Sequence, residues 1–347
     1  MTDLQRGGPD ASTRTKTPTI YDVAKAASVS PSTVSRALAR PGRVSAATAA
    51  HVRRVAAELG YHVNLIAPGL RTGRTSMLAL VVSDVTNPVY TEVIGGAQAA
   101  ASEAGYVLVL IDAQESDLLE HGGLVRALPA VEGVVLAGTR LSDAAIGEVA
   151  GKRPVVVLNR EVAGVPGILL DSAYGTRAIV EHLWALGHRS LTYIGGPEAS
   201  WADGVRLRGL RDAAGDLGAV VLGSGPYEPT VAGGRAAAAA LPDVLPTAIV
   251  AYNDQLAIGL MLALQSRGIR VPEDVSIVGH DNIAPAQIVN PALTTIVAPL
   301  HAQGQAAVNA VLAALKNPGA ASAKPVTLPV RLVVRGSTGR PRARSAG

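Results

Sequence analysis

Short apolar runs alternate with longer amphipathic stretches over most of the chain, from Met77 onward. The runs LALVV, YVLVLI, GVVLAG and PVVVLN come first, and SLTYIGG, AVVLG, AIVAYND and VSIVGHDN follow. Helical patterns such as residues 176–187 and 255–267 separate them. This alternation is typical of parallel strands joined by crossover helices. It predicts two α/β lobes, each built on a parallel sheet.

The N-terminal part of the chain has a different pattern, made of short helical segments with clear start signals. Thr19, followed three residues later by Asp22, predicts a helix N-terminus of the capping-box type. Ser30 before Pro31 predicts a second helix start, and a third helical pattern begins at Ser45. Three short helices with a tight turn between the first two predict a helix-turn-helix, whose second helix lies in the major groove of DNA.

Charge is distributed unevenly along the 347 residues. Residues 1–75 contain 11 Lys or Arg and 4 Asp or Glu, a net charge of +7, whereas the remaining 272 residues contain 20 and 23, a net charge of −3. Hydrophobic residues make up 48% of the chain and charged residues 17%, which predicts a globular body. A compact positive segment on a near-neutral body is typical of a nucleic-acid-binding unit.

What the sequence lacks excludes several classes of protein. There is no cysteine, so disulfides, thiolate zinc sites and cysteine nucleophiles are absent. No G-x-S-x-G, Walker or H-E-x-x-H motif is present, and we expect no enzyme activity, no cofactor and no metal site. No apolar stretch approaches the roughly 18 residues of a membrane span, and residues 1–18 carry no signal-peptide pattern, so we expect a cytoplasmic protein without a membrane partner. A periplasmic sugar-binding protein would share the two lobes, but it would need such a signal and would lack the basic head.

Two ungapped runs in the N-terminal part, TIYDVAKAASVSPSTVSRAL and VSAATAAHVRRVAAELGYHVN, resemble the headpiece of the lactose-repressor/galactose-repressor (LacI/GalR) family of bacterial transcriptional regulators. The resemblance continues through EHLWALGH, YIGGP, PTAIVAYNDQLAIG, VPEDVSIVGHDN and NPALTTI, and it covers nearly all of residues 18–339. It implies a small all-α helix-turn-helix headpiece joined to a bilobal α/β effector domain of the periplasmic-binding-protein type.

The resemblance also implies which residues contact DNA. Pro31 and Ser32 match the main base-reading positions, Arg36 also reaches a base, and Leu70 matches a hinge leucine inserted into the minor groove. The positions that contact or orient the DNA backbone are Thr19, Tyr21, Ser30, Thr33, Ser35 and Asn64. For Thr33 and Ser35, simple solvation of the helix is the alternative. Ser28 stands where the family usually has Gly in the turn, so we expect a left-handed residue there.

Polar and aromatic side chains follow the predicted strands, where ligands bind in α/β folds. On this ground the candidate effector-binding residues are Asn87, Tyr90, Asn159, Arg160 and Trp201. The resemblance adds Arg206 as the arginine that binds effector, Asn253 and Asp281 as the amide and carboxylate facing it, and Tyr227 as an aromatic wall. Any one polar residue could instead cap a helix or a turn, but together they suit a polyhydroxy ligand. Ala202 and Ala298 replace a common serine and glutamine, which leaves the identity of the effector open.

Together these observations predict five segments and one function. The segments are an arm (1–17), a DNA-binding domain (18–64), a hinge (65–76), an effector-binding and dimerisation domain (77–339, with lobes of about 77–170 plus 298–329 and 171–297 plus 330–339) and a tail (340–347). We expect a homodimeric repressor on a pseudo-palindromic double-stranded operator, released by a small-molecule effector that is a sugar or sugar derivative. The alternative is a corepressor-dependent repressor, or an activator, with a non-sugar effector such as a nucleobase.

Overall fold

The computed structural model describes residues 18–39, 43–61, 75–317 and 324–342. The chain divides into two compact units between Arg74 and Thr75. Two of the predicted DNA-contacting residues, Asn64 and Leu70, lie outside the described residues, as does all of the predicted hinge except its last two positions.

The described part of the first unit is a bundle of three helices, α1 (Ile20–Ala26), α2 (Pro31–Ala39) and α3 (Ala46–Glu58). The predicted capping box is present, because the Asp22 backbone N–H donates to Thr19 Oγ1 at 3.4 Å and the Asp22 carboxylate accepts from the Thr19 N–H at 2.7 Å. The helices pack around side chains with no exposed surface, Val23, Val34 and Val52. The bundle therefore has its own small core.

The turn between α1 and α2 contains the expected strained residue. Ser28 has a φ of 54°, in the left-handed region that glycine adopts more readily than other residues. The serine is exposed, so its side chain fits without a clash. The turn keeps its geometry at a cost of about 1 kcal/mol relative to glycine.

The second unit consists of two lobes, each with a six-stranded sheet. The first lobe is formed by β1 (Met77–Val82), α4 (Val89–Glu103), β2 (Val107–Asp112), α5 (Asp117–Ala127), β3 (Gly133–Ala137), α6 (Asp143–Ala150), β4 (Val155–Leu158), β5 (Gly167–Leu170), α12 (Leu300–Lys316) and β11 (Val326–Leu328). Its strands are all parallel, in the order β11-β5-β4-β3-β1-β2.

The second lobe repeats this arrangement with one difference. It is formed by α7 (Ser172–Leu186), β6 (Ser190–Ile194), α8 (Trp201–Asp216), β7 (Val220–Ser224), α9 (Val231–Ala239), β8 (Ala248–Ala251), α10 (Asp254–Ser266), β9 (Ser276–His280), α11 (Pro285–Ile288), β10 (Thr294–Val297) and β12 (Arg331–Val333). The order is β12-β10-β9-β8-β6-β7, and β12 runs antiparallel to β10. An edge strand tolerates that direction because it pairs on one side only.

Neighbouring helices of each lobe pack closely against each other because glycines line their contacts. In the first lobe a Cβ added at Gly96 would overlap the carbonyl group of His301 on α12, and one added at Gly304 would overlap the Val93 carbonyl oxygen on α4. In the second lobe Gly234 and Gly259 allow the same close approach of α9 and α10. Among the described residues, no helix is long and apolar enough to cross a membrane.

Candidate functional site

The second helix of the three-helix bundle presents a polar surface. Ser32, Ser35 and Arg36 on α2 are exposed, whereas Val34 between them is fully buried. Pro31, the first residue of the helix, is half-buried. This separation leaves the N-terminal turn of α2 and its polar side free for contacts, as a helix that enters the major groove requires.

The hydroxyl groups around this surface already have local partners. Ser30 Oγ accepts from the Thr33 backbone N–H at 3.2 Å and lies 2.9 Å from both Ser32 Oγ and Thr33 Oγ1. Thr19 is held in its capping box, while the Tyr21 side chain is 71% exposed. Thr19, Ser30 and Thr33 therefore shape the helix starts, whatever else they contact.

A cavity lies between the two lobes, at the carboxyl ends of the strands of both sheets, and encloses about 80 Å³. Eight of the nine predicted effector-binding residues line it: Asn87, Tyr90, Asn159, Arg160, Trp201, Arg206, Asn253 and Asp281. Tyr227 does not. It lies in a neighbouring groove with Pro226 and Pro229, outside this cavity.

The centre of the cavity is an ion pair between Arg206 on α8 and Asp281, which follows β9. Arg206 Nη2 donates to Asp281 Oδ1 at 3.4 Å and Nη1 donates to the Tyr252 carbonyl oxygen at 2.5 Å. The guanidinium carbon also lies 4.8 Å from the centre of the Tyr252 ring. Burial raises the pKa of Asp281 to about 6, and the charge of Arg206 limits that rise. Asp281 has a φ of 110°, so the backbone is strained where it presents this carboxylate.

A second carboxyl group lies behind this pair. Asp254, the first residue of α10, is fully buried, and it accepts from the Thr295 hydroxyl at 2.6 Å and from the Ile283 backbone N–H at 2.9 Å. Burial, followed by the nearby charge of Asp281, raises the pKa of Asp254 to about 8. Asp254 is therefore mostly protonated at neutral pH, and Asp281 carries the negative charge at the cavity.

The amide of Asn253 is occupied within the protein. Its Oδ1 accepts from the Leu256 N–H at 2.9 Å as the N-cap of α10, and its Nδ2 donates to the Pro229 carbonyl oxygen at 3.0 Å. Asn253 lines the cavity, but its main contacts fix the start of α10 and the loop that precedes α9.

The first lobe supplies the opposite wall. Asn87 Oδ1 accepts from the Val89 N–H at 3.2 Å at the start of α4, and the Tyr90 hydroxyl lies 2.8 Å from Ser83 Oγ. Burial raises the pKa of Tyr90, so the phenol is neutral at physiological pH. A Cβ added at Gly138 would collide with the Tyr90 hydroxyl, so this glycine makes room for the phenol.

Two consecutive residues after β4 complete this wall, and the second of them also contacts the other lobe. Asn159 has a φ of 57°, and its Oδ1 accepts from Gln303 Nε2 at 2.7 Å. Arg160 donates to the Leu141 carbonyl oxygen at 2.7 Å and pairs with Asp143 at 2.5 Å. Its guanidinium carbon lies 5.4 Å from the centre of the Trp201 ring in the other lobe.

Sequence reasoning missed five polar or aromatic residues that line the cavity: Thr139, Arg140, Ser200, Tyr252 and Gln303. Arg140 closely follows β3, whose sequence is part of the run GVVLAG. The expectation that ligands bind where strands end could therefore have identified it. Tyr252 precedes the predicted Asn253 directly. Gln303 carried no such signal, because it lies on α12 and comes back to the first lobe only through the tertiary fold.

The lining of the cavity suits the binding of a polar ligand. It combines charged donors, a carboxylate acceptor and aromatic faces, but among its lining residues no nucleophile accompanies an activating base. Within the described parts of the chain, no cluster of three or more metal-ligating side chains is present. Arg140 lines the wall of the cavity, and its positive charge is paired with Glu115.

Comparison with known proteins agrees with this architecture. A family model described as "Bacterial regulatory proteins, lacI family" matches residues 19–64, and one described as "Periplasmic binding protein-like domain" matches residues 180–338. The chain is 34% identical over 331 residues to the HTH-type transcriptional regulator DegA of Bacillus subtilis, covering 92% of this chain and 98% of DegA. The chain belongs to the LacI family.

Solved structures of this family superpose on nearly the whole regulator. The lac repressor dimer bound to operator and the anti-inducer ONPF matches with a TM-score of 0.81 and 27% identity, covering 93% of this chain and 100% of that chain. The transcriptional regulator CelR–cellobiose complex matches with a TM-score of 0.67 and 29% identity, covering 92% and 99%. The regulator is thus a DNA-binding transcriptional regulator and not an enzyme.

Proposed function

We propose that the regulator is a repressor that binds a pseudo-palindromic operator as a homodimer and is released by a small polyhydroxy effector, a carbohydrate, bound between its lobes. The observation that carries this proposal is the buried ion pair of Arg206 and Asp281 in a cavity lined from both lobes. Acting on chromosomal DNA, the repressor works in the cytoplasm.

The chemistry of the cavity favours a carbohydrate. A sugar hydroxyl both donates and accepts, so one hydroxyl can accept from Arg206 and donate to Asp281, which an apolar ligand cannot do. Tyr90 and Trp201 offer flat apolar surfaces beside these groups, which suit contact with a sugar ring. The related CelR is solved with cellobiose, which supports the same ligand class here.

Binding between the lobes provides the route from effector to operator. A ligand that contacts both lobes favours the lobe arrangement in which all its contacts are made, and an unequal affinity for two arrangements shifts their populations. Couplings of this kind are typically about 1–3 kcal/mol, or roughly 5–150-fold in affinity. We infer that the shift reaches DNA through residues 65–76 and weakens the insertion of Leu70.

On the DNA side, the proposal assigns base contacts to Pro31, Ser32 and Arg36. Their support is the exposed surface of α2 and the match of residues 19–64 to the family model. Thr19, Tyr21, Ser30, Thr33, Ser35 and Asn64 are proposed to contact or orient the phosphate backbone. Arg36→Ala is expected to weaken binding to the operator more than binding to random DNA.

The homodimer has support from the surface of the first lobe. Helix α5 leaves Leu118 79% exposed, and Leu119 and Val125 are about half exposed. Adjacent exposed apolar side chains of this kind mark protein interfaces. The lac repressor, which this chain resembles over nearly its whole length, is solved as a dimer on operator.

A two-part experiment tests the function. A DNA sequence is first selected from a random library by the full-length protein, and binding is then measured by fluorescence anisotropy. Sugars, sugar phosphates, polyols and nucleobases are screened by thermal shift, since a ligand of the folded state raises the melting temperature. The expected result is a sugar that raises the melting temperature and weakens operator binding at least about fivefold.

Arg206→Ala should abolish both effects of that sugar, whereas Arg211→Ala, on an exposed position of the same helix, should preserve them. A ligand that tightens operator binding would contradict release and favour corepression. A nucleobase as the sole ligand would contradict the carbohydrate class.

A further inference from the structure

We propose that the effector is a neutral disaccharide or longer oligosaccharide, because the site between the lobes continues into an outer chamber that takes a second sugar unit. This inference rests on the proposed function and specifies the size and charge of its ligand. It assigns Trp201 to the boundary between two sugar positions and His121 and Arg208 to the outer one.

Two of the spaces between the lobes adjoin each other. The inner cavity, at the Arg206–Asp281 pair, encloses about 80 Å³, and the outer chamber is a more open groove of about 770 Å³. Arg140, Arg160, Ser200 and Trp201 line both. Ligand pockets usually measure roughly 300–1,000 Å³, so the inner cavity by itself is small and the outer chamber falls in the usual range.

The Arg160–Trp201 contact separates the two spaces. Trp201 is the first residue of α8, and its side chain remains 43% exposed. Arg160 approaches the indole from the first lobe, where Leu141 and Asp143 hold its guanidinium group. An indole that is held at one face and still accessible offers a flat apolar surface on which a sugar ring can stack. A ligand that passes this point contacts both spaces.

The walls of the outer chamber carry balanced charge. Three arginines, Arg140, Arg160 and Arg208, face three carboxylates: Asp117, Glu198 and Asp203. Such a mixture supplies donors and acceptors for hydroxyl groups. Arg140 and Arg160 are already paired with Glu115 and Asp143, so a phosphate or carboxylate on the ligand gains little from them and meets Asp117 and Glu198 as like charges, which disfavours it. The lining therefore fits a neutral polyol better than a sugar phosphate.

Both lobes contribute to this chamber. Asp117 and His121 lie on successive turns of α5 in the first lobe, and Glu198 and Arg208 belong to the second lobe. A second sugar unit in the chamber would therefore bridge the lobes, as the first does in the inner cavity. A longer ligand gains contacts to both lobes, so it should bind more tightly and also bias the lobe arrangement more strongly.

The chain contains a natural reporter for this boundary. It has two tryptophans, and Trp184 is paired with Arg189, whose guanidinium carbon lies 4.5 Å from the Trp184 ring in the second lobe. In a Trp184→Phe background, Trp201 is the only indole, and its fluorescence reports on ligand at the boundary. The full-length protein is titrated with D-glucose, cellobiose and cellotriose, and with D-galactose and lactose.

In the glucose set or the galactose set, we expect the disaccharide to bind with a dissociation constant at least about tenfold lower than that of the monosaccharide. We also expect binding of the disaccharide to change the fluorescence emission of Trp201. His121→Ala and Arg208→Ala should remove most of that tenfold gain and leave the monosaccharide affinity unchanged. Arg211→Ala, on α8 outside both spaces, is the matched control and should keep the gain. Glucose 6-phosphate should bind less tightly than the neutral disaccharide.

The outcomes separate this inference from the proposed function. A monosaccharide or a sugar phosphate that binds as tightly as any disaccharide and releases operator would overturn the outer position while leaving the repressor proposal intact. The outer position is also overturned, with the repressor proposal intact, if the tenfold higher affinity for the disaccharide remains in both His121→Ala and Arg208→Ala. A disaccharide that binds with the expected gain but leaves operator affinity unchanged would support the extended site and refute release. If none of the sugars binds, the extended site and the carbohydrate class are both overturned.

Discussion

Asp254 makes the stability of the second unit depend on pH in a direction opposite to that of most carboxylates. Its carboxyl group is fully buried, and its pKa is raised to about 8 from an ordinary value of 3.8. Between about pH 4 and pH 8 the folded protein therefore holds a proton that the unfolded chain has lost. Because the folded state binds more protons, its free energy of unfolding must fall as pH rises through this range.

The size of the effect follows from the shift in pKa. A rise of about four units corresponds to roughly 5–6 kcal/mol, at about 1.4 kcal/mol per unit. The free energy of unfolding falls by about 4 kcal/mol of this total between pH 5 and pH 9. The rest is lost below pH 5, where the carboxyl group of the unfolded chain ionises. Asp254→Asn replaces the protonated carboxyl with a neutral group of similar shape, which can still accept from the Ile283 N–H and bond to the Thr295 hydroxyl.

Urea denaturation of the full-length protein, followed by circular dichroism from pH 5 to pH 9, measures this difference. The expected result is that the variant gains about 4 kcal/mol of stability on the original protein between pH 5 and pH 9. Asp243→Asn, at an exposed carboxylate of the same lobe, is the control and should not show the gain of Asp254→Asn. Parallel profiles for Asp254→Asn and the original protein would refute the assignment of a raised pKa to this buried group.

Three further changes test the packing, the turn and the dimer. Gly304→Ala forces a methyl group against the Val93 carbonyl oxygen, so the melting temperature should fall with a loss of about 1–3 kcal/mol, whereas Gly147→Ala, which has open space, should show no loss. Ser28→Gly relieves the left-handed turn and should stabilise the three-helix unit by about 1 kcal/mol in thermal unfolding; an unchanged or lower midpoint would contradict this. Val125→Glu places a charge on the exposed apolar surface of α5 and should shift sedimentation from dimer to monomer, and an unchanged dimer would place the interface elsewhere.

The candidate cavity shows that the spatial order of the strands decides which residues after a strand reach the ligand site. Tyr227 and Tyr252 both follow strands of the second lobe, and only Tyr252 lines the cavity. The reason is the order of strands in the sheet: β7, which precedes Tyr227, is an edge strand, whereas β8, which precedes Tyr252, lies inside the sheet. Residues after an edge strand lie at the margin of the cleft. The sequence of strands along the chain does not reveal this spatial order.

Local features were determined by the sequence itself. The capping box at Thr19, the helix start at Ser30 and the left-handed Ser28 depend on residues within a few positions of one another, so short-range hydrogen bonding and backbone sterics decide them. The same holds for the rhythm of buried strands and crossover helices, which expresses the apolar pattern directly. The motifs shared with the family also predict that Arg206 and Asp281 belong to one site.

Only the tertiary structure decided how distant segments combine. Gln303 meets Asn159 across 144 positions, and Asp254 becomes a neutral acid because β9, β10 and their loops bury it. The contact of Arg160 with Trp201 exists because two lobes close on each other, and it divides the cleft into an inner cavity and an outer chamber. Burial and proximity of this kind are properties of the packed chain, so local pattern carries no information about them.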